Sequence, residues 1–175
     1  MPTRNEIPKP EDALRLSEFL CFAIYSAGHA FNRVYKPLLD ELRLTYPQYL
    51  VVVVLWEQDG QTVGNLGEKL FLESSTLTPL LKRLEALGHV RRSRDPADER
   101  QVRITLTPEG RALRQRALSI PHCILDASGL GIEGLQRLQT EITALRDALE
   151  RGSASANTPT ASAGVSRSAA VDSEQ

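Results

Sequence analysis

Between positions 62 and 106 the apolar residues change their spacing from three-to-four to two, and this change limits the folds open to the chain. Val63, Leu66 and Leu70 mark a short amphipathic helix over 62–70. Phe71 to Ser74 form a brief turn. Leu77, Leu80, Leu81, Leu84 and Leu87 give the buried stripe of a second helix, closed by Gly88 where helices favour a left-handed cap. Beyond it, Val90 and Arg92, then Val102, Ile104 and Leu106, alternate as strands do. Between them lies a charged, turn-rich segment, Asp95-Pro96-Ala97-Asp98-Glu99-Arg100. Two short helices across a tight turn, followed by a long-tipped hairpin, make a helix-turn-helix with a wing.

The flanks read as helix. Leu16, Leu20, Ile24, Ala27, Phe31, Val34 and Leu38 recur at three and four over about 12–42, and Pro37 is expected to kink or end that helix. Thr45 caps a second helix with Pro47 in its first turn. The run Val51-Val52-Val53-Val54 favours a strand by propensity, but helical neighbours on both sides argue for helix as far as Gly60. Thr107-Pro108-Glu109 starts a helix that runs to about Ile120, where Pro121 should bend or break it. Leu135, Leu138, Ile142, Leu145 and Leu149 lie on one face of a last helix over about 132–149. The expected fold is mainly α with a small β-hairpin wing, a winged helix-turn-helix domain over 12–150 whose reading lobe is about 47–107. Residues 1–11 and 151–175 are too polar to offset their ordering entropy and are expected to be disordered.

Composition excludes several classes. The longest apolar run, Tyr49 to Trp56, is far short of the ~20 residues of a membrane span. Met1 to Glu11 lacks the apolar stretch of a signal peptide, so a cytoplasmic location is expected. Two cysteines are not a disulfide scaffold. His29, His89 and His122 have no metal-ligand spacing, and there is no Gly-rich phosphate loop, so no cofactor is expected. Net charge is −1, but from Gly60 to Arg116 eleven Lys and Arg face seven Asp and Glu. A basic segment in a neutral chain suits a polyanion, although uneven surface charge alone would look the same.

The second helix of the pair carries Ser74, Ser75, Thr76, Thr78, Lys82 and Arg83 on its outer face. Hydroxyls and the free N–H groups of a helix start suit phosphates and base edges. Pro79, read as close to the first turn, can touch a thymine methyl. A merely solvated, capped helix would carry similar residues. The hairpin tips the balance towards DNA. Arg91, Arg92, Arg94, Arg100 and Arg103 cluster there, an arginine at the tip can enter a narrow minor groove, and Asp98 is close enough to steer Arg100.

Cys21 sits one helical turn before Tyr25, with Tyr35 and Tyr46 further on. Phenol O–H donors beside a thiol favour its reactive thiolate form. The plain alternative is a buried cysteine among packing tyrosines. Cys123, beside His122 and just past Pro121, is either a resolving thiol in a flexible joint or another buried cysteine.

These motifs resemble the MarR family, and within it the organic hydroperoxide resistance regulators (OhrR type). The family-level likeness lies in Leu66-Gly67-Glu68-Lys69-Leu70, in Leu77-Thr78-Pro79-Leu80-Leu81-Lys82-Arg83-Leu84-Glu85, and in Asp95 to Arg100 running into Val102-Arg103-Ile104-Thr105-Leu106-Thr107. The narrower likeness lies in Leu20-Cys21-Phe22-Ala23-Ile24-Tyr25, Tyr35-Lys36-Pro37-Leu38-Leu39-Asp40 and Leu44-Thr45-Tyr46-Pro47-Gln48-Tyr49-Leu50. It covers roughly residues 14–149. The resemblance implies a homodimer joined through its terminal helices, about 12–42 and 108–150, on double-stranded DNA with an inverted-repeat operator. It implies a repressor, not an enzyme, in which Cys21 senses organic hydroperoxides, Tyr35 and Tyr46 bond its sulfur, and Tyr25 lies near. Arg100 matches the minor-groove arginine of the wing. Cys123 matches the resolving cysteine of two-cysteine members, which pairs across subunits until a cellular thiol reduces it. One rival keeps the fold but releases DNA on binding a small aromatic ligand. Another, a thiol peroxidase using Cys21, lacks a thioredoxin-like pattern or a Cys-x-x-Cys.

Overall fold

A computed structural model describes residues 14–96 and 98–156. It divides into two units, residues 1–129 and 130–175. After a single 3₁₀ turn at Leu16–Glu18 the first unit runs α1 (Leu20–Asp40), α2 (Tyr46–Glu57), β1 (Gln61–Thr62), α3 (Val63–Leu70), α4 (Ser74–Ala86), β2 (Val90–Arg94), β3 (Val102–Leu106), α5 (Pro108–Ala117) and α6 (Ile120–Ser128). The second unit is α7 (Ile132–Ala156).

Helix α2 is the hub. Val51, Val52 and Leu55 are essentially without solvent exposure, and α1, α3, α4, α5 and β3 all pack on it. A helix buried on every side has no polar stripe, which is why its valine run mimics a strand. Gln48 closes its start by accepting the Thr45 N–H at 2.9 Å, half of a capping box.

The helix-turn-helix is held by backbone geometry. Phe71 ends α3 in the left-handed region at φ 55°, and the Leu72 N–H reaches back to the Gly67 carbonyl at 2.9 Å. A Cβ at Gly67 would stand 2.8 Å from the Leu72 carbonyl oxygen, so this close turn needs glycine. Leu77, Leu81 and Leu84 seat α4 in the core. Gly88 (φ 76°) ends it as expected.

The wing is β2 paired antiparallel to β3, with Val90 opposite Leu106 and Arg94 opposite Val102. A third strand, β1, pairs with β3 on its other edge; two residues are too few to show a period. Thr107 caps α5 as expected, accepting the Gly110 N–H at 3.0 Å, and its hydroxyl also contacts the Gly88 carbonyl at 2.6 Å. The wing base and α5 are thereby tied together. Trp56 adds a bond from Nε1 to the Gly110 carbonyl at 2.9 Å.

Three expectations need correction. Of the two effects expected of Pro37, ending α1 does not occur: the helix continues to Asp40, near the expected end, and the chain turns left-handed at Arg43 (φ 57°); its start is Leu20, later than the expected 12. The helix from Thr107 does break close to Pro121, as expected, but at Ala117, and Pro121 itself occupies the first turn of the separate helix α6, where its missing N–H costs little. Helix α7 begins at Ile132 as read but reaches Ala156, past the expected end near 149. The rest of the two segments expected to be disordered, 1–11 and 157–175, lies outside the described residues.

Candidate nucleic-acid interface and thiol site

Helix α4 presents Ser74, Ser75, Thr76, Pro79, Lys82 and Arg83 to solvent, opposite its buried leucines. Thr78 is half-buried and donates its hydroxyl to the Ser74 carbonyl at 2.7 Å, so its proton is spent within the helix. Pro79 is the sixth residue of α4, not part of its first turn. Its ring therefore costs a mid-helix bond to the Ser75 carbonyl.

The five wing arginines differ in role. Arg103 is structural: its guanidinium pairs with Asp95, which is buried, and bonds the Gly60 carbonyl. Arg92 is half-buried beside Glu85. Arg91, Arg94 and Arg100 are exposed. Asp98 does not steer the Arg100 side chain. It accepts the Arg100 backbone N–H at 3.0 Å and the Gln101 side-chain amide at 3.1 Å, while the Asp95 N–H bonds the Gln101 carbonyl at 2.9 Å. Asp98 thus sets the loop backbone, and the loop carries Arg100 outward. Between the starts of α3 and α4 and the root of the wing lies a cleft of about 360 Å³, lined by Thr62, Gly64, Ser74, Arg92, Arg100 and Gln101 among others.

Cys21 is exposed near the start of α1, and Cys123 is half-buried on α6; both are free thiols. Cys123 is thus held within a helix, not in a loose joint. Tyr25, one turn after Cys21, meets the His29 ring edge-on at 4.4 Å and is 63% exposed. Tyr35 and Tyr46 do come together, with ring centroids 4.7 Å apart. Burial, then the neighbouring Tyr46 and Tyr49, push the Tyr35 phenol up to about 12; burial also raises Tyr46. Both therefore remain O–H donors at neutral pH. They edge a cavity of about 230 Å³ with Asn32, Lys36 and Thr45. The chain does not bring this pair to Cys21. Residues 21 and 35 lie on one unbroken helix, and at ~1.5 Å per residue they stand about 21 Å apart along it.

Residues 33–116 match the family model for the transcriptional regulator SarA/Rot. The chain is 48% identical over 153 residues to the HTH-type transcriptional regulator TtmR of Methylorubrum extorquens, covering 87% of this chain and 78% of that protein. It is 43% identical over 140 residues to the organic hydroperoxide resistance transcriptional regulator of Bacillus subtilis, covering 80% of this chain and 95% of that one. Among solved structures, reduced AbfR bound to DNA matches with a TM-score of 0.69 and 35% identity over 82% of this chain and 98% of that one; AbfR is a Staphylococcus epidermidis protein. The chain belongs to the MarR-type winged-helix transcriptional regulators, of the OhrR kind. In this DNA-binding regulator, α4 is the second helix of the helix-turn-helix and the β2–β3 hairpin is the wing. Among its described residues no helix is long and apolar enough to cross a membrane, and no His, Cys, Asp or Glu cluster could hold a metal.

Sequence reasoning missed two features of the regulator. Tyr49 completes the aromatic cluster, 6.2 Å from Tyr35 and 6.2 Å from Trp56; its spacing of three from Tyr46 was the available signal. Glu85, on α4, faces Arg92 across the wing root, and nothing local in the sequence announces that pair.

Proposed function

We propose that the regulator is a homodimeric repressor that leaves an inverted-repeat operator when an organic hydroperoxide oxidises Cys21. The observation that carries this reading is the exposed apolar start of α1. Leu20, Phe22, Ile24 and Tyr25 surround Cys21, Phe31 follows about 15 Å further along, and all are at least 38% exposed. A surface this greasy marks an interface, and a second copy of the chain suits it. Only a second copy could also bring protonated Tyr35 and Tyr46 to a Cys21 that lies ~21 Å from its own. Each cysteine would then gain two phenol donors to stabilise its thiolate.

The chemistry balances simply. The Cys21 thiolate attacks the peroxide, takes one oxygen as sulfenic acid, and releases the alcohol as the O–O bond breaks. The Cys123 thiolate of the other subunit then attacks that sulfur, a disulfide forms, and water leaves. The Cα atoms must approach within ~7 Å, so α1 and α6 must shift, and the wings they position would leave the ~34 Å repeat of successive major grooves. A cellular thiol restores the reduced state. The name of the Bacillus subtilis relative supports the oxidant class, and AbfR has been solved both reduced on DNA and with its disulfide formed.

The test uses an operator selected from random duplexes by the reduced protein. Cumene hydroperoxide should release it and give a band of dimer mass on a non-reducing gel; Cys123→Ser should lose the band. Cys21→Ser should bind DNA and ignore peroxide. Release of that variant by peroxide would refute the sensor. The cavity beside Tyr35 and Tyr46 favours one second reading, release by a small aromatic acid, which would act equally on Cys21→Ser.

A further inference from the structure

Arg92 is the one arginine of the wing whose state the fold does not explain. Its backbone N–H bonds Glu85 Oε1 at 3.0 Å, so the wing root is pinned to α4. Its guanidinium is not similarly used. Nη1 stands 3.8 Å from Glu85 Oε2, beyond hydrogen-bonding distance. Nε is buried and has no partner among the described residues. Closed off from solvent, Nε cannot itself meet an incoming group, so the donors left for one are those of the Nη atoms. The side chain is 26% exposed, and Arg92 lines the cleft between the starts of α3 and α4 and the wing, with Arg100 as a second cation. Thr62, Gly64 and Ser74 line the same cleft.

The geometry points to this cleft as a seat for one phosphodiester group of the DNA backbone, gripped by the Arg92 fork and shared with Arg100. The inference rests on the DNA-binding reading and adds a residue that fixes the wing against the duplex. A guanidinium presents two parallel N–H donors to two phosphate oxygens, a bidentate match a lysine cannot make. Glu85 is a positioning residue here. It holds the strand through the backbone and stands near the charge without consuming its donors. A phosphate contact carries no base information, so Arg92 contributes affinity and register and not sequence preference.

The test measures binding of the reduced full chain to the selected operator and to a scrambled duplex of equal length, across a salt series. Arg92→Ala should weaken both duplexes alike, by roughly tenfold, and reduce the salt slope by about one per subunit. Arg92→Lys should keep the slope and lose affinity. Glu85→Gln keeps the backbone bond and removes a nearby negative charge, so both duplexes should bind as well or better. If Arg92 is only a strut to Glu85, Arg92→Ala and Glu85→Gln will weaken binding together with the slope unchanged, and the inference fails. At equal ionic strength inorganic phosphate should displace DNA somewhat better than chloride, and the difference should vanish in Arg92→Ala. A difference that persists in Arg92→Ala would place the phosphate contact elsewhere and overturn the assignment. Failure of the wild type to select any sequence would instead sink the regulatory reading itself.

Discussion

The wing stands on one buried ion pair, and removing its cation gives the sharpest check on how the hairpin is built. Asp95 has a side chain only 8% exposed, while its partner Arg103 is 40% exposed. Arg103→Met deletes the charge and both bonds, to Asp95 and to the Gly60 carbonyl that anchors β1 beside β3. Breaking a fully buried pair by removing one partner costs about 3–5 kcal/mol, because the remaining charge stays buried with less compensation. Here water reaches the arginine side, which lowers that figure, and loss of the bond to Gly60 restores part of it. The expected cost is about 2–3 kcal/mol. Asp95→Asn leaves a neutral acceptor and should cost about 1–2 kcal/mol. The double variant should cost less than the sum, with a coupling of at least ~1 kcal/mol, since the two side chains are direct partners. Urea unfolding at neutral pH measures all three. DNA affinity should fall with the loosened wing, but the salt slope should stay put, because Arg103 is spent inside the protein. An Arg103→Met protein within ~0.5 kcal/mol of wild type, with a slope lowered by one, would show Arg103 to be a DNA contact and refute the assignment.

Other consequences can be checked in parallel. Arg100→Ala should cost about 1–3 kcal/mol of operator binding with unfolding unchanged; unaltered affinity would remove the wing tip from the interface. Gly110→Ala should unseat α5 from the wing, since its Cβ would stand 2.0 Å from the His89 carbonyl oxygen; a variant with wild-type unfolding would mean that the two elements are not in contact. The folded pKa of Tyr35, raised to about 12, contributes stability that is present below its unfolded value of ~10 and lost as pH rises through 12. Tyr35→Phe should flatten the alkaline limb of the stability profile, and an identical limb would place the titration elsewhere. His89 is shifted the other way, chiefly by burial and then by Arg116, so its contribution is present above the unfolded pKa of ~6.5 and lost as pH falls below it. His89→Gln should reduce acid sensitivity in that window.

What the sequence revealed and what it hid follow from how far each residue looks for its partner. Helix α4 was legible because its buried leucines and exposed hydroxyls sit within thirteen residues of one helix, and the helical period is local. The wing was legible for the same reason. Helix α6 was not: Ile120 and Ile124 keep a spacing of four and are both buried, but Pro121 between them reads as a breaker unless the helix start is already known. Arg103 could not be separated from Arg100 by composition, since its bond to the Gly60 carbonyl spans 43 positions. Pro37 misled for an energetic reason. Leu38 and Leu39 around it pack into the core, and Leu39 is 2% exposed, so tertiary burial outweighs the one hydrogen bond a proline removes.

The thiol site marks a different boundary. Residue types alone joined Cys21 to Tyr35 and Tyr46, and helix geometry then separates them by ~21 Å within the chain. The sequence therefore carries the right chemistry at positions that a single copy cannot assemble. A spacing that is unproductive within one helix becomes productive if two such helices run side by side in opposite senses, because the start of each then lies against the end of the other. The same apolar residues that would be a liability on a monomer, Leu20, Phe22 and Ile24, are what such a pairing would bury. A dilution series followed by sedimentation tests this step directly. A chain that remains monomeric at micromolar concentration would leave Cys21 with neither Tyr35 nor Tyr46 within reach.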